Sequence, residues 1–158
     1  MKLKLRWYQW VLEALGALMV LGLVLFLLLS WSGLPDRVPT HFNGAGEIDG
    51  WGGKMSLLLL PMVGVGTYIL LTVLSRFPKS WNMPVRVTPR NARYVYPMVA
   101  TMLTVMKLEM FATFSVITLY SAWAVPLPGW FTPAFMGVLF GSIGIFLVVT
   151  VILGKRHA

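Results

Sequence analysis

The chain has 158 residues, of which 58% are hydrophobic and 11% are charged, and its mean hydropathy is +0.78. A soluble domain of this size leaves roughly 30% of its surface in water, so it cannot hide so many apolar side chains. The composition therefore excludes an ordinary soluble domain and favours lipid as the solvent. The formal net charge of +8 accompanies no nucleic-acid-binding motif, so we predict no nucleic-acid partner. The absence of cysteine excludes disulfides and thiol catalysis.

Four apolar runs are long enough to cross a bilayer, whose hydrocarbon core of about 30 Å needs about 20 helical residues. The predicted spans cover residues 10–31, 55–74, 94–123 and 133–153. The fold class predicted from them is an all-α integral membrane bundle of four transmembrane helices, with residues 1–158 forming a single membrane domain. The first run is too long for the core of a signal peptide, so we interpret it as a retained anchor.

The basic residues predict the orientation of this bundle. Ten of the 13 flank the spans on one side, and Lys107 falls inside a span. The ten are Lys2, Lys4, Arg6, Arg76, Lys79, Arg86, Arg90, Arg93, Lys155 and Arg156. The positive-inside rule then places both termini and the loop between spans two and three in the cytoplasm. The loop at 32–54 is predicted to face outward.

The outer loop at 32–54 carries most of the polar chemistry of the chain. It contains three of the five acidic residues, six glycines and one of the two histidines. Pro35 and Pro39 favour extended backbone, so residues 38–43 are predicted to form a short extended segment. Asn43-Gly44 and Asp49-Gly50 are turn signals. We expect the loop to fold back over the outer mouth of the bundle as a small lid.

A turn after Asn43 would bring Glu47 and Asp49 beside His41. The resulting cluster is open to three interpretations. The first is a metal site with His41, Glu47 and Asp49 as ligands, although one histidine and no cysteine make a thin donor set. The second is an acid/base pair in an enzyme, for which no nucleophile motif is present. The third, which we favour, is a hydrogen-bonded lid or ligand-recognition loop in which Asp49 holds Lys54 or a backbone amide. No cofactor is predicted.

The loop sequence LPDRVPTHFN at 34–43, followed by GEIDGWGGK at 46–54, resembles the signature of a bacterial membrane domain that begins SdpI-like proteins. The pattern is Pro-x-His-x-Asn-x-x-Gly-x-x-Asp-x-x-x-x-Lys, placed in the loop after the first span. Its residues here are Pro39, His41, Asn43, Gly46, Asp49 and Lys54. The resemblance implies a multi-pass protein of the bacterial cytoplasmic membrane. It also implies immunity or signalling, in which the protein protects a cell from its own antimicrobial peptide and sequesters a repressor at the membrane.

Three charged residues lie within predicted spans, where charges are costly and often functional. Glu13 lies about one turn into span one, and Lys107 and Glu109 lie near the middle of span three. Helical side chains lean toward the N-terminus of their helix, so Lys107 is predicted to reach toward Glu13 and lock the two spans together. Glu109 has no evident mate. It is predicted either to be protonated or to face a polar cavity continuous with the outer loop.

Glycines predict where helices approach one another closely. Gly137 and Gly141 have the small-xxx-small spacing, with Gly144 one turn further along. We favour close packing inside one bundle over a homo-oligomer interface. Pro61 is predicted to kink span two.

Three functions are consistent with this sequence. The leading one is an immunity or sensing protein that recognises an antimicrobial peptide, a lipid headgroup or a membrane-protein partner. The second is an accessory structural subunit of a membrane complex. The third is a membrane-embedded enzyme or metal-dependent hydrolase that uses His41 and the loop carboxylates. The predicted binding residues are those of the outer-loop motif, namely Pro39, His41, Asn43, Gly46, Glu47, Asp49, Trp51 and Lys54.

Overall fold

A computed structural model describes residues 6–157 and contains four long helices. These are α1 (Trp7–Ser30), α2 (Leu59–Leu74), α3 (Ala92–Trp123) and α4 (Phe131–Arg156). Within the described residues, all four are long and apolar enough to cross a membrane. The four predicted spans are thereby confirmed as helices of a multi-pass membrane protein. Lys2 and Lys4 of the predicted basic flank lie outside the described residues.

The helix α2 is short for a span. Its 16 residues rise about 24 Å at 1.5 Å per residue, and the 3-10 helix Lys54–Leu58 extends it at its start. Pro61 lies in the first turn of α2, where a missing N–H removes no i→i−4 hydrogen bond of that helix. The kink predicted at Pro61 inside span two is therefore wrong. Instead, the span changes from a 3-10 helix to an α-helix near its start.

The helix α3 occupies the centre of the bundle, because α1, α2 and α4 each pack mainly against it. Phe111 of α3 is 1% exposed and forms a core cluster with Leu23 and Leu27 of α1. Gly64 of α2 lies directly against Phe111, where an added Cβ would come within 3.1 Å of the ring. The small residue thus lets α2 approach the large aromatic closely.

Both ends of the described chain lie at the same end of the bundle as the loop between α2 and α3. Near the start of α1, the amide of Gln9 donates to Thr101 Oγ1 in the first part of α3, at 3.1 Å. At the end of α4, His157 stacks on Tyr94 with ring centroids 3.9 Å apart. We call this end, where α3 begins, the basic end. Its assignment to the cytoplasm remains a prediction.

The loop between α1 and α2 is a β-hairpin, so the description of the fold as all-α is incomplete. Strand β1 (Arg37–Phe42) pairs antiparallel with β2 (Ile48–Gly53). The predicted extended segment is confirmed, and its backbone groups obtain their hydrogen-bond partners from β2. The turn predicted at Asn43 is confirmed by a bond from the Gly46 N–H to the Asn43 carbonyl, at 2.9 Å. The turn predicted at Asp49-Gly50 is wrong, because both residues lie in β2.

The hairpin packs against the end of α3 and the loop that follows it. Val38 of β1 is fully buried in a cluster with Leu57 and Ala122. The N–H of Leu127 donates to the carbonyl of Gly46 at 2.9 Å. The hairpin therefore covers one end of the bundle, as predicted for a lid, and does not project from it.

Three glycines of α4, Gly137, Gly141 and Gly144, do not pack against the rest of the described chain. A Cβ added at Gly137, Gly141 or Gly144 would meet no atom within 4 Å. The prediction that they pack closely within one bundle is therefore wrong. Their spacing is right for a helix contact, but α4 uses a different face to contact α3.

Candidate functional site: the hairpin between α1 and α2

Two irregularities in the strand pairing set the position of His41. The register shifts between Pro39 and His41 and again between His41 and Phe42. Such bulges bend a strand and re-aim its side chains, and they are common beside functional sites. Gly50 lies opposite His41, where an added Cβ would approach the His41 Cβ to 2.9 Å. A glycine at this position leaves room for the imidazole.

His41 and Asp49 form a hydrogen-bonded pair on the surface of the hairpin. The Nδ1 atom of His41 lies 2.5 Å from Asp49 Oδ1. The two side chains are 71% and 44% exposed, so the pair is open to solvent. An ionised carboxylate accepts a hydrogen bond from Nδ1–H of the imidazole. The other ring nitrogen, Nε2, is then available to bond to an outside partner. An imidazole oriented in this way is suited to hydrogen-bond recognition or to general acid/base chemistry.

Asn43 organises the turn of the hairpin. Its Oδ1 accepts bonds from the N–H groups of Ala45 and Glu47, at 2.9 and 3.0 Å. Its Nδ2 donates to Glu47 Oε2 at 2.8 Å. Asparagine commonly satisfies turn backbone in this way. Asn43 is therefore a structural residue of the site, and it holds the Glu47 carboxylate at the tip.

The polar side chains form two separate pairs, His41 with Asp49 and Asn43 with Glu47. Within residues 6–157, no three side chains of the His, Cys, Asp or Glu type gather closely enough to hold a metal ion. The candidate ligands His41, Glu47 and Asp49 thus do not meet as one donor set. The predicted contact between Asp49 and Lys54 is also absent, because Asp49 bonds to His41 instead.

Three other motif residues fix the hairpin to the bundle. Pro39 is fully buried. Gly46 has φ +87°, and an added Cβ there would collide with the Leu127 carbonyl oxygen. Lys54 donates its Nζ to the Leu34 carbonyl at 3.0 Å and lies 5.2 Å from the centre of the Trp31 ring. These contacts close the base and the tip of the hairpin.

A segment that includes the hairpin resembles a known domain. Residues 17–65 match a family model described as a domain of unknown function (DUF1648). A 68-residue stretch is 40% identical to an uncharacterized protein of Archaeoglobus fulgidus. That alignment covers 38% of this chain and 37% of the archaeal protein. No solved structure matches the chain.

The DUF1648 match begins inside α1, includes both strands and ends inside α2. It contains the exposed residues His41, Glu47, Asp49 and Trp51, the last of which is 48% exposed. Leu127 and Ala122, against which the hairpin packs, lie outside the match. The segment with the recognisable pattern thus also contacts one helix, α3, and one loop that come later in the chain.

A second polar cluster lies between α1, α2 and α3, and it contains the ion pair predicted from the sequence. Lys107 Nζ lies 2.6 Å from Glu13 Oε1 and 2.7 Å from Glu13 Oε2. Lys107 also donates to Thr72 Oγ1 at 2.9 Å, and Tyr68 donates its hydroxyl to Glu13 Oε2 at 3.0 Å. Sequence reasoning missed Tyr68 and Thr72. Their i, i+4 spacing on one face of α2 was the available signal.

Glu109 lies on the opposite side of α3, facing α4. Its Oε2 accepts a bond from Ser142 Oγ at 2.9 Å. It borders a groove of about 270 Å³ whose walls are mainly apolar. The groove is lined by Glu109, Ala112, Thr113, Val116, Trp130, Phe131, Ala134, Phe135 and Val138. Of the two alternatives predicted for Glu109, the polar cavity is wrong, because the groove is mainly apolar. The protonation of Glu109 stays a prediction. The partner that the sequence did not reveal is a serine on α4.

Proposed function

We propose that this chain is a small integral membrane protein of the SdpI-like immunity or sensing type that recognises its ligand through the hairpin. One observation carries the proposal. The hydrogen-bonded His41–Asp49 pair remains exposed, although the hairpin that bears it is packed against the bundle. Polar pairs displayed on a rigid scaffold are typical of recognition surfaces. The proposal includes a bacterial cytoplasmic membrane with both termini inside, so that the hairpin faces outward.

The fixation of the hairpin supports binding. Contacts at Gly46 and Lys54 hold the tip and the base in one arrangement. A loop that is already ordered loses less conformational entropy when it binds a ligand. The exposed side chains between these two contacts are therefore presented in a fixed geometry.

The exposed carboxylates of the hairpin, which outnumber its basic residues Arg37 and Lys54, favour a cationic amphipathic peptide over the other candidate ligands. Asp36, Glu47 and Asp49 are all exposed, and they account for three of the five acidic residues in the chain. Trp51 adds an exposed aromatic surface beside them. Carboxylates attract a basic peptide, and an aromatic ring provides apolar contact area for its other face.

A growth assay tests this function. Cells of the source organism that lack the gene are exposed to the supernatant of their wild-type culture, and plasmid-borne variants are compared at equal membrane levels. We expect His41→Ala to leave cells as sensitive as cells without the gene. The control Asn82→Ala, an exposed position far from the hairpin, should protect fully. Full protection by His41→Ala would contradict the proposal. Turnover of a peptide or lipid that His41→Ala abolishes would favour the membrane-embedded enzyme.

The unpartnered glycines of α4 favour a second candidate, an accessory subunit of a membrane complex. Gly137 and Gly141 are exposed and have open space around them. Small residues at this spacing allow another transmembrane helix to approach closely. Purification in mild detergent should then yield a stoichiometric protein partner that Gly137→Leu with Gly141→Leu removes. Recovery of the wild-type chain alone would contradict this candidate.

A further inference from the structure

The start of α3 and the end of α4 form a rigid junction at the basic end of the bundle. Asn91, which is 1% exposed, donates its Nδ2 to the carbonyls of Arg86 and Gly154, both at 3.1 Å. The rings of Tyr94 and His157 stack with an interplanar angle of 15°. The backbone on both sides of the junction is therefore held by buried or stacked groups.

A cleft of about 410 Å³ opens at this junction. It is lined by Pro89, Arg90, Arg93 and His157. Both arginines are exposed, and the guanidinium of Arg93 lies 4.8 Å from the centre of the Tyr94 ring. Stacking of this kind restricts the planar guanidinium while its N–H donors remain available.

No side-chain carboxylate of the described chain neutralises these arginines. The ion pairs within residues 6–157 are Lys107 with Glu13 and His41 with Asp49. The five acidic residues all lie in the hairpin region or inside helices, and they are Glu13, Asp36, Glu47, Asp49 and Glu109. Lys155 and Arg156 add two further positive charges beside the cleft. The cleft is thus a fixed cationic site whose counter-ion comes from outside the described residues.

The cleft also lies at the ends of two candidate membrane spans, which is where a bilayer places its lipid headgroups. It sits where α3 begins and α4 ends, and both helices are membrane spans. Trp81 and Tyr96 pack edge to face at the same end, with ring centroids 6.1 Å apart. Both residue types are enriched at membrane interfaces. In the part of α4 that leads up to the cleft, Val148 and Ile152 are more than half exposed and are available to acyl chains. Basic pockets between spans at this depth are suited to anionic lipids.

We propose that the cleft binds the phosphate group of an anionic phospholipid, with Arg90 and Arg93 as its principal donors. Two guanidinium groups can each donate two parallel hydrogen bonds to phosphate oxygens. The headgroup occupies the cleft, and its acyl chains lie along the exposed face of α4. The site stands at the opposite end of the bundle from the hairpin and does not depend on the function proposed for the hairpin.

The test measures lipid binding to the full chain in detergent by native mass spectrometry. Phosphatidylglycerol and phosphatidylcholine with identical acyl chains are titrated separately. The double variant Arg90→Gln with Arg93→Gln is compared with Lys155→Gln with Arg156→Gln, which removes the same charge from the neighbouring helix end. We expect the first variant to weaken phosphatidylglycerol binding at least about tenfold, which corresponds to the loss of about one charge-assisted hydrogen bond. The second should weaken it less than about threefold.

Several results would overturn the proposal. Equal weakening by both double variants would show a diffuse charge effect without a defined cleft. Equal binding of the two lipids by the wild-type protein would show that the cleft does not select an anionic headgroup. Competition by inorganic phosphate at the same concentration as the lipid would identify a site for free anions. Displacement of phosphatidylglycerol by a polyglutamate peptide that binds more tightly would identify a protein-docking site.

A conservative variant separates a loss of lipid binding from a loss of folding. Arg90→Lys with Arg93→Lys keeps the charge of the cleft but loses the planar fork of each guanidinium. It should fold, as judged by helical circular dichroism, and should bind phosphatidylglycerol with an affinity between those of the wild-type protein and the glutamine variant. Wild-type affinity in the lysine variant would contradict recognition by the arginine forks.

Discussion

Lys107 is 2% exposed, and its ammonium contacts both carboxylate oxygens of Glu13 across the interface between α3 and α1. In a membrane-spanning bundle, either charge alone would have to be desolvated without a counter-charge. Their mutual attraction offsets that cost, and the contact joins two helices that are far apart in the sequence. Tyr68 and Thr72 of α2 bond to the same pair, so three spans share one polar cluster.

Removing one partner of this pair should destabilise the bundle. Glu13→Gln leaves the Lys107 ammonium without a counter-charge, and we expect a loss of about 3–5 kcal/mol in the free energy of unfolding. The double variant Glu13→Gln with Lys107→Met removes both charges and should recover at least half of that loss. Unfolding in mixed micelles, followed by circular dichroism, measures both. Equal damage from the single and double variants would show that the pair does not lock the spans.

The tip of the hairpin should be intolerant of a side chain at Gly46. Gly46→Ala places a Cβ against the Leu127 carbonyl and forces alanine into a left-handed conformation, which should cost about 2–3 kcal/mol. Hydrogen exchange at the Leu127 amide should accelerate, because its bond to Gly46 is lost. The control Gly44→Ala has open space around it and should change stability by less than about 0.5 kcal/mol. An unchanged exchange rate at the Leu127 amide in Gly46→Ala would refute the contact between Gly46 and Leu127.

The end of α3 offers a stabilising substitution. Ala124 caps the helix with φ 55° and is the one non-glycine residue with a positive φ among residues 6–157. A glycine avoids the Cβ strain at this position, so Ala124→Gly should raise the free energy of unfolding by about 1 kcal/mol. Ala17→Gly, the same change at an exposed position in the body of α1, should lower it by about 1 kcal/mol. A loss of stability in both variants would contradict the strained cap.

Ser142 should matter only while Glu109 is present. Ser142→Ala removes the hydroxyl that donates to Glu109 and should cost about 1–3 kcal/mol. In a Glu109→Leu background the same change should cost less than about 0.5 kcal/mol, because no carboxyl remains to be satisfied. A double-mutant cycle measures the difference. Additive losses would mean that the two side chains act independently.

The spans and the ion pair could be predicted because each depends on a local rule. Helix length follows from runs of apolar residues, and the reach of Lys107 toward Glu13 follows from the lean of helical side chains. The partner of Glu109 could not be predicted, since Ser142 is an ordinary residue of span four until the packing of α4 on α3 is known. The glycines of α4 show the same limit, because their spacing reveals a face suited to close contact but not the surface that meets it.

The hairpin was only partly predictable for a related reason. Pro39 and Asn43 predict an extended segment followed by a turn, and both features are present. Asp49-Gly50 also reads as a turn, yet pairing with β1 draws these residues into a strand. Local preference gave way to the requirement that the backbone groups of β1 be paired. Which motif side chains are exposed depended on Leu127 and Ala122, and nothing in the motif itself points to them.

The hydrogen bond between Leu127 and Gly46 also constrains the order of assembly. Chains are synthesised from the N-terminus, so the hairpin emerges together with α1 and α2 before Leu127 has been made. It can close over the bundle only after α3 and the following loop have been inserted. Completion of the contacts between the hairpin and the bundle is therefore a late event in biogenesis. In an insertion intermediate that stops after α2, the hairpin would keep its contacts with Leu34 and Leu57 but would lack those with Ala122 and Leu127.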